Sequence, residues 1–267
     1  MVTPARRTHA AAALPPRKPL YLLASTPARM DAGPDHLVLR RDQGAPPLRF
    51  PLARLCRIVC NRHVAWSGQA LALCLEHGVP ITWVDGRGHA LGCTQGHQDE
   101  ALPFATLLET YLELPDWPAR FANWRARRRL ETLTTTAQRA ARAGRELDPI
   151  AFSELKRELV YNGTHPLVFP EQGQAWCEAI AIDRLQHQGL QACYWGFGAS
   201  RLALGVELGA LLWAELNLEC GALPAGIAPG QSVARLFEAW AHEHEGRLLL
   251  HLGDLERHLA REVEAWQ

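Results

Sequence analysis

Glu154 and Glu158 lie four residues apart in a stretch with helical periodicity, so a helix there puts both carboxylates on one face, able to share a cation. The same spacing fits a solvated face, since Lys156 and Arg157 sit between them. Glu207 stands in an otherwise apolar helical stretch, where an unpaired carboxylate is costly to bury. It is therefore a candidate metal ligand, or half of an ion pair with Arg201. Glu215 is eight residues further on, roughly 12 Å along a helix, too far to share an ion with Glu207. Converging carboxylates suit phosphodiester transfer: a hard divalent ion polarises the phosphoryl oxygen and activates the hydroxyl nucleophile. Carboxylates with water favour magnesium or manganese, and a histidine ligand shifts the preference toward manganese.

Nucleic acid is also suggested by arginines. Residues 120–146 hold eight arginines against two glutamates: Arg120, Arg125, Arg127, Arg128, Arg129, Arg139, Arg142 and Arg145. At this density guanidiniums can fork onto successive phosphates of duplex DNA. Residues 171–267 hold 13 acidic against 6 basic side chains, so the arginines can equally be balanced from within the chain. His242-Glu-His-Glu245, His251 and His258 lack zinc-site spacing and read as a solvated helix face. His63, His77 and His89 read as turn or surface residues.

The 267 residues carry 28 basic and 28 acidic side chains and are 48% apolar, the mix of a globular protein, which excludes disorder and fibrous repeats. No run approaches the ~20 apolar residues of a membrane helix. Arg6-Arg7 precedes an alanine run too short for an export-signal core, so residues 1–19 read as a flexible basic tail. Seven cysteines without a Cys-x-x-Cys pair, mostly within apolar stretches, suggest reduced thiols and a cytoplasmic location.

The chain changes character near residue 97. Before it, short strands are expected at 19–24, 36–40, 48–51, 55–60, 80–84 and 89–93, with one helix capped by Ser67 and stopped by Gly78. Turns are expected at Gly33-Pro34, Asp42-Gln-Gly44 and Asp85-Gly-Arg-Gly88. After it, helices are expected at 104–114, from Pro118, from Pro149 through Leu159, at 174–188, 201–218, 233–245 and 250–266. The fold class is α+β: a β-rich N-terminal domain at 20–97 followed by an all-α C-terminal domain at 98–267.

Leu20-Tyr-Leu-Leu, Pro51-Leu-Ala-Arg-Leu-Cys-Arg-Ile-Val, Val64-Ala-Trp-Ser-Gly-Gln-Ala-Leu, Leu75-Glu-His-Gly-Val-Pro-Ile-Thr-Trp-Val and Gly86-Arg-Gly-His-Ala-Leu-Gly follow one another in order. With these, residues 19–94 resemble the CRISPR spacer-acquisition integrase, the larger, metal-dependent subunit of the adaptation complex. Pro118-Ala-Arg-Phe-Ala-Asn-Trp-Arg-Ala-Arg-Arg-Arg-Leu, Gly189-Leu-Gln-Ala-Cys-Tyr-Trp-Gly-Phe-Gly and Leu202-Ala-Leu-Gly-Val-Glu-Leu are similar to its helical part. The resemblance implies a DNA endonuclease and integrase that uses magnesium or manganese, acts on duplex DNA, dimerises through its β-domain and works with a small adaptation subunit. The family's metal site comprises a Glu, a His just after the Gly-Phe, and an acid on the next helix. Here the His position holds Gly198, Ala199 or Ser200, and the acid position holds Gly205 unless a two-residue shift brings in Glu207. Glu154, Glu158 and Glu207 are thus the catalytic and metal-ligand candidates. The alternative is a catalytically degenerate relative that serves as a DNA-binding or scaffolding subunit.

Overall fold

The computed structural model describes residues 17–41, 45–87, 89–94, 103–190, 195–196, 198, 201–221 and 232–266. The turn at Asp42-Gln-Gly44, Gly88 and most of the N-terminal tail lie outside the described residues. The strand-rich part comprises β1 (Lys18–Leu22), β2 (Ala28–Ala32), β3 (His36–Arg41), β4 (Leu48–Pro51), β5 (Leu55–Asn61), β6 (Val64–Trp66), α1 (Gly68–Glu76), β7 (Ile81–Val84) and β8 (Ala90–Cys93). These form two four-stranded sheets, β1-β5-β7-β8 and β4-β3-β2-β6. As expected, the Ser67 side chain caps α1 by accepting from Ala70 N, and Gly78 follows the helix at φ +62°.

Strand alternation links these sheets to the helices. Leu22, Ile58, Cys60 and Ile81 point into a core shared with Met30, Leu37 and Leu39 of the second sheet and with α1. Their neighbours Tyr21, Val59 and Val84 point the other way and pack into the helical core. Sequence reading passed over β2 and β6. β2 is short and carries Arg29 and Asp31 on its outer face, so only Ala28 and Met30 mark it as a strand.

The helical part comprises α2 (Pro103–Leu112), α3 (Trp117–Arg142), α4 (Pro149–Lys156), α5 (Gln172–His187), α6 (Leu204–Gly221) and α7 (Val233–Trp266). α4 does not run on as an α-helix; residues Arg157–Asn162 form a π-helical stretch that Gly163 ends at φ +72°. The two helices expected after residue 233 are one. Gly246 sits within α7 in open space and does not interrupt it. No described helix is long and apolar enough to cross a membrane. Cys60, Cys74 and Cys177 are buried, and Cys56, Cys93 and Cys220 are partly exposed.

α5 and α6 are buried nearly all round and meet closely. A Cβ on Gly209 would stand 2.8 Å from Glu178 Cα, and one on Gly205 would stand 2.9 Å from Ile182 Cγ1. Gly205 and Gly209 share a face of α6 that receives Glu178 and Ile182, themselves four apart on α5.

α7 corrects a second expectation. His251 and His258 are not solvated but 1% and 7% exposed. They continue the apolar stripe of Leu248, Leu252, Leu255 and Leu259. Arg128 on α3 donates from Nε (3.0 Å) and Nη2 (2.9 Å) to His251 Nδ1. Nδ1 is therefore the acceptor, and the ring is the neutral tautomer protonated at Nε2. Burial, and then the Arg128 charge, push the His251 pKa down to about 3.

Gly209→Ala should lower stability by about 1–3 kcal/mol, because the new methyl meets α5 backbone. Gly246→Ala should be neutral or raise it by about 0.5–1 kcal/mol; urea unfolding measures both. Unfolded, His251 takes a proton near pH 6.5, whereas in the fold it stays neutral down to about 3. Its contribution is present above pH ~6.5 and is lost as pH falls toward 3. His251→Gln should flatten the stability-against-pH curve in that window, and an unchanged slope contradicts the assignment.

Candidate functional site

α3 crosses the acidic C-terminal helices, and most of its arginines are matched there. Arg120 pairs with Asp116 (2.8 Å) and with Glu262. Arg125 Nη1 lies 2.6 Å from Glu207 Oε1, and Arg127 Nη2 lies 2.9 Å from Asp254 Oδ2. Arg128 is buried between His251 and Glu131, and Arg139 contacts Glu219 and Glu215. Arg142 and Arg145 stand exposed at and beyond the end of α3, and Arg129 is half-buried. The internal balance allowed by composition thus accounts for Arg120, Arg125, Arg127 and Arg139, with Arg128 turned inward.

The three candidate carboxylates have different partners. Glu154 and Glu158 line a concavity of about 390 Å³ together with Thr164, His165 and Pro166. Glu158 accepts from Thr164 Oγ1 (2.8 Å) and Asn162 Nδ2 (3.3 Å), and these bonds hold its carboxyl below the ordinary carboxylate range. Glu207 is engaged by Arg125, not by Arg201, which instead donates to Leu112 O. His165 was missed in the sequence. Its ring packs edge-on to Trp213 at 6.1 Å, and burial lowers its pKa, so it is neutral at pH 7. Its one sequence signal is its place in the Gly163-Thr-His-Pro166 turn directly after Glu158.

Among the described residues, Glu215, Glu219 and His244 do converge, with one potential ligand atom each inside 4.8 Å. Two guanidiniums already face them. Arg247 Nε is 2.8 Å from Glu215 Oε1, and Arg139 reaches both carboxylates. Trp240 Nε1 donates to Glu219 Oε2 (2.8 Å), and His244 Nε2 lies 2.9 Å from the same oxygen. Burial alone would lower the His244 pKa, but Glu219 outweighs it and raises it. Two carboxylates against two arginines leave little charge for a divalent ion to neutralise.

Among the described residues, the expected His and acid positions offer no side-chain ligand at Gly198 or Gly205. Ala199 and Ser200 lie outside the described residues, and Gly198 is exposed in open space. Gly205 lacks a side chain and is tightly packed: a Cβ there would press on Ile182 and stand 3.1 Å from Gly196 Cα, so its neighbours would have to shift. Glu207, two residues on, points to Arg125 instead.

A family model described as CRISPR associated protein Cas1 matches residues 21–159. A search of curated proteins finds no match. Among solved structures, a CAS1 protein from Thermotoga maritima superposes with a TM-score of 0.64 at 12% identity, covering 91% of this chain and 97% of that one. A casposase bound to integration product gives a TM-score of 0.55 at 13% identity, over 78% of this chain and 74% of that one. A Cas6-RT-Cas1–Cas2 complex gives 0.51 at 15% identity, over 77% of this chain and 27% of that one. At these identities the superpositions speak for the shared fold. The family match spans more than half of the sequence, from β1 into the stretch that follows α4, and the chain belongs to the Cas1 family of CRISPR associated proteins.

Proposed function

We propose that this chain is a non-cleaving Cas1-family subunit, one that holds duplex DNA and scaffolds a spacer-integration complex in antiviral adaptation. The closure of Gly205 against α5 and Gly196 carries this reading. Where the family places an acidic ligand, the α6 backbone is committed to helix packing. Phosphodiester transfer needs ligands converging on one ion, and here Glu158 is held by Thr164 and Asn162 while Glu207 is held by Arg125. Duplex DNA is the expected partner, contacted first by Arg142, which is exposed at the end of α3. The family resemblance adds a homodimer through residues 20–97 and a small adaptation subunit. Among the described residues β4 and β8 lie at sheet edges, and Leu91 on β8 is 61% exposed.

A second reading draws on the concavity of Glu154, Glu158 and His165. Magnesium or manganese held by Glu154, Glu158 and Glu207 would make the chain a metal-dependent endonuclease and integrase. It requires Glu207 to leave Arg125.

Strand joining and nicking assays with manganese or magnesium separate the two readings. The native chain alone should show neither activity, and robust turnover abolished by Glu207→Ala would overturn the proposal. Duplex affinity measured against salt should show Arg142→Ala lowering the log–log slope by about one unit. Arg128→Ala should instead cost about 1–3 kcal/mol of stability, by leaving buried partners unpaired.

A further inference from the structure

Arg125 and Arg129 stand four residues apart on α3 and so share a face. Arg125 is matched by Glu207 at 2.6 Å. Arg129 has no carboxylate within ion-pair distance among the described residues, although its side chain is half-buried. The turn after the π-helical stretch closes over its guanidinium. A Cβ on Gly163 would stand 2.9 Å from Arg129 Nη1 and 3.3 Å from Nη2, and the backbone there is left-handed, so glycine alone permits the approach without strain. Burial, and then the neighbouring Arg125, depress the Arg129 pKa, while Glu207 is the one carboxylate opposing them. Two guanidiniums against one carboxylate leave a net positive charge partly withdrawn from water, which is costly unless an anion offsets it.

We propose that Arg129, backed by Arg125, is a binding site for a phosphate group of nucleic acid, a fixed guanidinium supplying the charge neutralisation that the family obtains from a metal. The inference rests on the non-cleaving reading and deepens it. A planar guanidinium donates two parallel N–H bonds to two phosphate oxygens and matches the charge of a phosphodiester. Unlike a divalent ion, it has no coordination position at which to acidify water or a hydroxyl. Such a site holds a phosphodiester and leaves its bonds intact.

The test titrates the native chain with inorganic phosphate against chloride at matched ionic strength, following the Arg129 side-chain Nε–H resonance. That resonance should shift saturably, and a short oligothymidylate should compete with phosphate for it. Arg129→Gln should weaken phosphate binding roughly tenfold, with Arg129→Lys in between. A resonance that stays in place, or an Arg129→Gln chain that binds phosphate as the native one does, overturns the site. Phosphate binding that oligothymidylate does not displace overturns the assignment to nucleic acid. Should the Gln variant fail to fold, the native resonance still decides. Duplex binding with a silent Arg129 defeats this inference alone. Metal-dependent nicking by the native chain with a responsive Arg129 defeats the non-cleaving reading and leaves the phosphate site.

Discussion

α5 and α6 approach each other through glycine, and the rest of the helical part is arranged around that approach. Gly205 and Gly209 remove the Cβ atoms that would hold the helices apart, and Glu178 and Ile182 fill the groove. Both helices are then enclosed by aromatic side chains: Trp176, Phe169, Trp213 and Phe237 pack ring against ring. With one face of α6 fixed on α5, its acids Glu207, Glu215 and Glu219 are turned toward α3 and α7. The same contact occupies Gly205, the position where the resemblance expects an acidic ligand unless a two-residue shift brings in Glu207. Packing and chemistry compete for Gly205, and packing has it.

Electrostatics follows from that placement. An arginine-rich helix and an acidic C-terminal third could have remained separate surfaces, one for a polyanion and one for water. They meet instead, and Arg120, Arg125, Arg127 and Arg139 spend their charge on Glu262, Glu207, Asp254 and Glu219. Partly exposed pairs of this kind contribute modestly to stability, but they decide which cations remain for a partner. Among the described residues Arg129 under the Gly163 backbone and Arg142 at the end of α3 have no carboxylate within ion-pair distance.

The α+β order was legible because periodicity changes from two to 3.6 residues near residue 97, and local chemistry fixed several ends: Ser67, Gly78 and the Asp148-Pro149 start are used as read. Long-range pairing was not legible. Nothing local distinguishes Arg128, which turns inward to His251, from Arg127 beside it, which reaches Asp254 nearer the surface. The buried histidines could have been found, since His251 and His258 fall in phase with Leu248, Leu255 and Leu259; their polar type masked that phase. Glu154 and Glu158 do share a concavity, as their spacing suggested, but the partner of Glu207 was misplaced, because Arg125 is 82 residues away in sequence. The significance of Gly205 needed three dimensions: a missing side chain in a sequence is a gap, whereas a Cβ blocked by Ile182 and Gly196 is a closed site.

Arginines, not a divalent ion, face Glu207, Glu215 and Glu219. Calorimetric titration of the native protein with manganese tests this most directly. No saturable one-to-one binding is expected, because Arg125 holds Glu207 and Arg139 with Arg247 holds Glu215 and Glu219. A stoichiometric manganese site that disappears in Glu158→Ala and in Glu207→Ala would contradict it.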